Sequence, residues 1–92
     1  MNEEIKQQLR DRGYIEEFDL ISLIEVCGND FHNLQLNTWV DNEPAPGKWS
    51  AFNHELSDNP IKWKEGEKRY TLGSTPEEAV ALLWIRLNDK TN

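Results

Sequence analysis

Three side chains are the strongest candidates for metal binding or for nucleophilic and acid–base chemistry: Cys27, His32 and His54. Zinc sites are usually recognised by pairs of ligands a few residues apart, such as CxxC or HxxxH. Neither histidine lies in such a pair, so a zinc site would have to gather all three side chains and a carboxylate from separate elements. The sequence therefore predicts no metal ion and no cofactor.

The other residue patterns do not form a recognisable catalytic constellation. No GxSxG motif, glycine-rich phosphate loop or nucleotide-binding fingerprint occurs in the sequence. The paired glutamates at 16–17 and 77–78 are accounted for by solvation and by helix capping. Cys27 lies on an apolar stripe with no basic neighbour in sequence to lower the pKa of its thiol, which is typical of a small core residue. We therefore predict that the protein is not an enzyme.

One short basic stretch is a candidate contact for anions. Basic residues interleaved with an aromatic ring can form a stacking platform for single-stranded nucleic acid. Glu65 and Glu67 dilute this stretch, and side chains of this kind more often form the solvated side of a ribbon. Weak binding of single-stranded nucleic acid is therefore an alternative function. The candidate anion contact comprises Lys62, Trp63, Lys64, Lys68 and Arg69.

Composition limits the class of protein and of partner. The 92 residues predict a single domain, and 17 Asp and Glu against 10 Lys and Arg give a formal net charge of -7. This charge repels phosphate backbones and suits a basic protein surface, although it also simply keeps a small domain soluble. A single cysteine, no secretory signal pattern and no apolar run of roughly 20 residues predict a cytoplasmic location without membrane contact.

Three segments have the periodicity and end signals of helices. Residues 3–12 form a mostly polar helix capped by Asn2, and residues 20–27 carry an apolar stripe between Asp19 and Gly28. The last helix runs from Thr75 to about Asp89. It begins with a capping threonine, a proline at the first helical position and a glutamate at the third.

The middle of the chain changes from a period of 3.6 to a period of 2. Residues 34–40 and 48–54 alternate between apolar and polar positions, and the prolines and glycine of residues 41–47 predict a turn between two antiparallel strands. After a loop at 55–60, residues 61–72 predict a third strand or a small extra hairpin.

These elements predict an α+β fold: N-terminal helices, an antiparallel sheet of about three strands and a C-terminal helix packed on that sheet. The α-β-β-β-α order is similar to that of double-stranded-RNA-binding domains, which use basic residues at the start of the last helix. Here Glu77 and Glu78 occupy that position and would repel phosphate.

The last helix also predicts a contact surface. Leu82 and Ile85 project nearly opposite its apolar stripe, and Trp39 lies opposite the apolar side of its strand. The two helical residues can be covered by the chain's own N-terminal helices, by a second copy in a homodimer, or by a protein partner. The candidate interaction surface therefore comprises Leu82, Ile85 and Trp39. The members of the apolar stripe are Val80, Leu83, Trp84 and Leu87.

Two segments resemble known small proteins. The segment Leu23–Gly28, followed by Asp30-Phe31, and the ending Gly73–Asn88 resemble small uncharacterised proteins of bacteriophages and prophages, which end in a TPEEA…LW…LN helix. This resemblance implies a bacterial host and a fold, and it assigns no functional residue.

A second resemblance is to HicB-type antitoxins. Their strands lead into a helix that opens with a Gly-x-Thr-x-Glu-Glu-Ala pattern, which residues 73–79 match. That resemblance implies neutralisation of a toxin by protein–protein contact. Together these observations predict a protein-binding accessory module without catalysis, with an antitoxin-like protein or an inhibitor of a host protein as the alternative.

Overall fold

A computed structural model describes residues 1–40, 43–53, 61 and 70–88, with the backbone alone described at 38–40 and 43–47. These residues form an α+β fold, as the sequence predicted, with two helices before the sheet and one after it. A short 3-10 turn at Gly28–Asp30 connects the second helix to the sheet. The elements are α1 (Glu3–Asp11), α2 (Leu20–Cys27), β1 (Phe31–Val40), β2 (Glu43–Asn53), β3 (Tyr70–Gly73) and α3 (Pro76–Leu87).

Each α-helix begins at the side-chain cap that the sequence predicted. The cap oxygen accepts a hydrogen bond from a backbone N–H two or three residues later, which satisfies a donor with no partner inside the helix. α3 ends at Leu87, slightly before the predicted end at Asp89, which lies outside the described residues. The cap and donor pairs are Asn2 and Glu4 at 2.7 Å, Asp19 and Ser22 at 2.8 Å, and Thr75 and Glu78 at 3.1 Å.

The strands form one antiparallel sheet in the order β1-β2-β3. Both strands of the β1–β2 hairpin are longer than predicted, because β1 begins at Phe31 and β2 at Glu43. The predicted turn at 41–47 was therefore too wide. Its prolines lie in a strand, where the register steps from Asn37 opposite Lys48 to Trp39 opposite Pro44. Proline has no backbone N–H to donate to a neighbouring strand. It is tolerated at such an irregularity because the ladder of hydrogen bonds is already interrupted there.

The third strand is present as Tyr70–Gly73 and pairs with β2. The predicted extra hairpin between 61 and 69 and the loop at 55–60 lie outside the described residues, apart from Ile61. This isoleucine is buried, and its N–H donates a 3.1 Å hydrogen bond to Oδ1 of Asn53 at the end of β2.

Helix α3 is the centre of the packing. It contacts β2 and β3 on the sheet and also contacts α1 and α2. The Thr71 hydroxyl of β3 donates a 2.8 Å hydrogen bond to the Ala79 carbonyl, whereas the Trp84 ring meets the Tyr14 ring edge-on at 5.4 Å between centroids. The sheet and the N-terminal segment therefore contact different parts of the α3 surface. Its buried residues are Ala79, Val80, Ala81, Leu83 and Ile85.

Gly73 allows the close approach of α3 to the sheet. It is buried at the end of β3, opposite Trp49. A Cβ at this position would overlap the backbone nitrogen of Ala79 and would lie 2.8 Å from the carbonyl carbon of Glu78. Since both obstacles are backbone atoms of α3, no side-chain rotation can relieve the overlap.

We predict that Gly73→Ala destabilises the protein by about 1–3 kcal/mol or more, the usual effect of overpacking against a rigid neighbour. The free energy of unfolding from urea denaturation is the measurement. Ser74→Ala is the matched control, since Ser74 is exposed and its hydroxyl is a 3.3 Å partner of the Lys48 ammonium group at the surface. An unchanged unfolding free energy for Gly73→Ala would contradict the close approach.

Candidate functional site

The predicted contact surface on α3 is mostly enclosed within the protein. Ile85 is only 7% exposed and belongs to the core, while Leu82 is half-buried and packs against that core. These two residues therefore do not form an open apolar surface. The sequence left three possible covers for them, namely the chain itself, a second copy or a partner, and the chain itself encloses Ile85. Trp39 lies on β1 opposite Pro44, and its side chain is outside the described part of the structure.

The candidate anion contact lies outside the described residues. All five of its members, Lys62, Trp63, Lys64, Lys68 and Arg69, fall in the segment 62–69. The prediction of weak nucleic-acid binding through these residues therefore stays a prediction.

Cys27 is a buried thiol of the core. It is 3% exposed, and burial, with a smaller effect from the Asp30 carboxylate, raises the pKa of its thiol to about 12. His32 is exposed on β1, and His54 lies outside the described residues. Within the described ranges, no group of three or more His, Cys, Asp or Glu residues could hold a metal ion, and no helix is long and apolar enough to cross a membrane.

The open apolar side chains lie away from α3. Of the side chains that the structure describes, four large hydrophobic ones are exposed: Ile15 at 90%, Ile21 at 72%, Leu36 at 58% and Leu72 at 37%. Single exposed apolar residues are normal on soluble proteins, and a cluster of them is the signal of a contact site. Ile15 and Ile21 are the two most exposed of the four. They lie six positions apart in sequence, at the connection between α1 and α2 and on the first turn of α2.

Aromatic stacking fixes this connection to the body of the protein. The Tyr14 ring stacks on the Phe18 ring at 5.5 Å between centroids and also meets Trp84 of α3. The Tyr14 hydroxyl donates a hydrogen bond to the Glu17 carbonyl, which closes the loop onto itself. Because Tyr14 is buried and Phe18 half-buried, the intervening residues 15–17 are held at the surface.

Two cations of α1 reinforce the same anchor. The Lys6 ammonium group and the Arg10 guanidinium group lie over the Phe18 ring, at 5.4 and 5.2 Å from its centroid. Such cation–π contacts contribute about 0.5–1 kcal/mol each at exposed sites. They link α1 to the loop, so the position of Ile15 is set by three elements of the fold.

Exposed carboxylates lie close in sequence to the two exposed isoleucines. Glu16 and Glu17 follow Ile15 directly, and Glu25 lies one helical turn after Ile21 on the exposed side of α2. The charges of Asp19, Glu16 and Glu17 are close enough to add to burial, the main cause, in raising the pKa of Tyr14 to about 12. We call this region the acidic–apolar surface and define it as Ile15, Glu16, Glu17, Ile21 and Glu25.

The positions of Ile15 and Ile21 in the sequence contain a signal for this surface. The predicted contact surface, which was placed on α3, did not use it. Ile21 lies outside the apolar stripe of α2, and Ile15 is an aliphatic residue in the connection between two helices, followed directly by two glutamates. An apolar residue off the stripe of a short, solvent-bordered helix indicates a contact site more directly than one on the central helix of the core. Helix α3 has neighbours on several sides, whereas α2 has an exposed side.

Comparison with protein-family models, curated proteins and solved structures finds no match to this chain. The resemblances to phage-encoded proteins and to HicB-type antitoxins therefore stay predictions.

We predict that burial of Cys27 makes the protein less stable at alkaline pH. The thiol ionises near its ordinary pKa of 9.0 in the unfolded chain and near 12 in the folded protein. The folded pKa is raised, so this contribution to stability is complete below pH 9 and decreases as the pH rises from 9 towards 12. Urea denaturation midpoints at about pH 7.5, 9 and 10.5 measure the decrease.

Cys27→Ala is the control for this prediction, because it removes the thiol while leaving a small apolar residue in the core. The variant should show a shallower decrease of the midpoint with pH, and the remaining decrease then belongs to groups such as Tyr14. An identical pH dependence in both proteins would contradict a raised thiol pKa.

Proposed function

We propose that this protein is a protein-binding accessory module that acts by contact, without catalysis, through the acidic–apolar surface. The observation that supports this proposal is the exposure of Ile15 and Ile21, at 90% and 72%, on a loop and helix anchored to α3. Preorganised apolar side chains bind with little loss of conformational entropy, because the anchor has already ordered the backbone that carries them.

The apolar part of the surface supplies enough free energy to matter. Full burial of an isoleucine side chain contributes about 1.5–3 kcal/mol, so the pair can contribute roughly 3–6 kcal/mol before the entropic cost of association. Each 1.4 kcal/mol corresponds to a factor of about ten in affinity. Two such residues are therefore sufficient to act as the energetic centre of a small interface.

The charged part of the surface selects the kind of partner. Glu16, Glu17 and Glu25 are exposed and each lies within four positions of an exposed isoleucine in sequence, and the whole chain has a formal net charge of -7. Such a surface favours a partner with an apolar pocket bordered by Lys and Arg, and it repels another acidic protein at close range. The charges chiefly set the association rate and its dependence on salt.

An antitoxin-like protein or an inhibitor of a host protein is the specific form of this proposal. A basic protein surface that normally holds nucleic acid presents the charge and the apolar contacts that the acidic–apolar surface would match. Occupying such a surface blocks its partner's activity by exclusion, and no chemistry on the inhibitor is required. A small acidic chain is suited to this role in the cytoplasm of a bacterial host.

We predict that the double variant Ile15→Gln, Ile21→Gln loses its protein partner while remaining folded. Both residues are exposed, so replacement by glutamine removes contact area for a partner and leaves the core unchanged. The tagged wild-type chain and the tagged double variant are used as bait in a bacterial lysate, and the captured proteins are quantified by mass spectrometry. One basic protein should be recovered with the double variant in an amount at least tenfold lower than with the wild type. Its recovery should also fall as the salt concentration is raised.

Leu72→Thr is the matched control, since Leu72 is an exposed apolar residue on β3. This variant should capture the same basic protein in the wild-type amount. Recovery of every captured protein in equal amounts by wild type and by the double isoleucine variant would contradict the proposal. Loss in the Leu72→Thr variant alone would place the contact on the sheet instead.

A further inference from the structure

Among the residues that the structure describes, strand β1 lies at an edge of the sheet. The sheet order places β2 beside β1, and within the described ranges no other strand pairs with it. Helix α3 packs on β2 and β3. An edge strand presents unpaired backbone N–H and C=O groups, which are able to pair with another strand.

The composition of β1 lacks the usual protection against such pairing. Natural edge strands are typically protected by lysines or other charges, by proline, or by bulges. None of the ten residues Phe31–Val40 is an Asp, Glu, Lys or Arg, in a chain of which 29% is charged. No proline occurs in the strand, and the register irregularities lie at its two ends, which leaves Asn33–Asn37 regularly paired with β2.

We propose that β1 pairs antiparallel with β1 of a second copy of this chain, about a twofold axis that passes through Gln35. The exposed Gln35 lies at the middle of the regular stretch Asn33–Asn37. This register places Gln35 opposite Gln35 and pairs Leu36 with Leu34 of the second copy. An isologous contact of this kind closes at two copies and does not propagate into a fibre.

The register matches the sides of the sheet. Residues directly opposite each other in an antiparallel pair project to the same side. Leu36 lies opposite Trp49, and Trp49 lies opposite Gly73, which approaches α3, so Leu36 belongs to the helix side of the sheet. Leu36 is 58% exposed, and Leu34 of the second copy would cover it. A register shifted by one residue would instead place Leu36 opposite a polar side chain.

Charge favours a second copy of this chain as the occupant. Two chains of net charge -7 repel each other, and that repulsion is smallest where the facing residues carry no charge. The acidic–apolar surface has the opposite property, because its carboxylates would repel a second copy. Pairing through β1 is therefore independent of the proposed function, and either can fail without the other.

The experiment is a measurement of mass by light scattering and sedimentation equilibrium, at protein concentrations from about 5 to 500 µM. This range suits an interface smaller than the standard size, for which micromolar or weaker affinity is expected. The wild-type chain should approach twice its mass of 10.8 kDa as the concentration increases. Gln35→Lys and Gln35→Glu should each remain monomeric over the same range, because like charges would then face each other across the axis.

Mixing the two variants tests the register itself. An equimolar mixture of Gln35→Lys and Gln35→Glu should recover the dimer, because residue 35 of one copy would face the opposite charge at residue 35 of the other. Recovery also shows that both variants are folded. Gln7→Lys and Gln7→Glu, on an exposed position of α1, are the matched controls and should dimerise as the wild type does.

Two results would overturn the proposal. A wild-type chain that stays monomeric at the highest concentration would exclude it outright. A dimer that persists in both Gln35 variants, or that the mixture fails to recover, would show that copies associate through a different surface or in a different register.

Discussion

The rest of the structure depends on one interaction, the packing that encloses α3 between its neighbours. The helix contacts two strands of the sheet as well as both N-terminal helices, and it contributes nearly half of the buried hydrophobic residues in the part of the chain that the structure describes. A chain of 92 residues buries only about 60–65% of the surface that its unfolded form exposes, so it has room for one such centre. Gly73 makes the arrangement compact, since it lets the α3 backbone approach the end of β3 without an intervening side chain.

The enclosure determines where contact surfaces can be. Because the apolar residues of α3 are used inside the protein, the open apolar residues lie on elements that α3 anchors without covering. The acidic–apolar surface is held by the Tyr14 ring against Trp84, and Leu36 is exposed on β1. The first surface is acidic and the second is on an uncharged strand. On the basis of charge we therefore propose different partners for the two surfaces.

The sequence predicted the local structure well wherever a single residue type controls it. The caps Asn2, Asp19 and Thr75 gave correct helix starts, and α2 has the predicted bounds Leu20–Cys27. The hairpin turn was predicted too wide because the prolines at 44 and 46 are strong turn signals. In the structure an irregularity in strand pairing accommodates them, and this depends on the partner strand, which local propensity does not encode.

Which apolar residues are exposed was harder to predict, for a physical reason. A helical period identifies which residues share a side of α3 but does not say how many neighbours the helix has, so Leu82 and Ile85 were candidates for an open surface. The structure shows that Ile85 is buried. Ile15 is held at the surface by the anchor in which Tyr14 contacts both Phe18 of the same loop and Trp84 of the distant helix α3. No local pattern in the sequence records such an anchor.

Native-state amide hydrogen exchange tests the central position of α3 most directly. Amides of the central helix of a small cooperative domain should exchange only through global unfolding, while amides of peripheral elements exchange through smaller openings. With α3 at the centre of the packing, we expect the slowest exchange for the amides of Val80, Leu83 and their neighbours in the helix, with a free energy equal to that of global unfolding. Exchange in α3 that is faster than in the β1–β2 hairpin would show that the helix opens independently, and would contradict its central position.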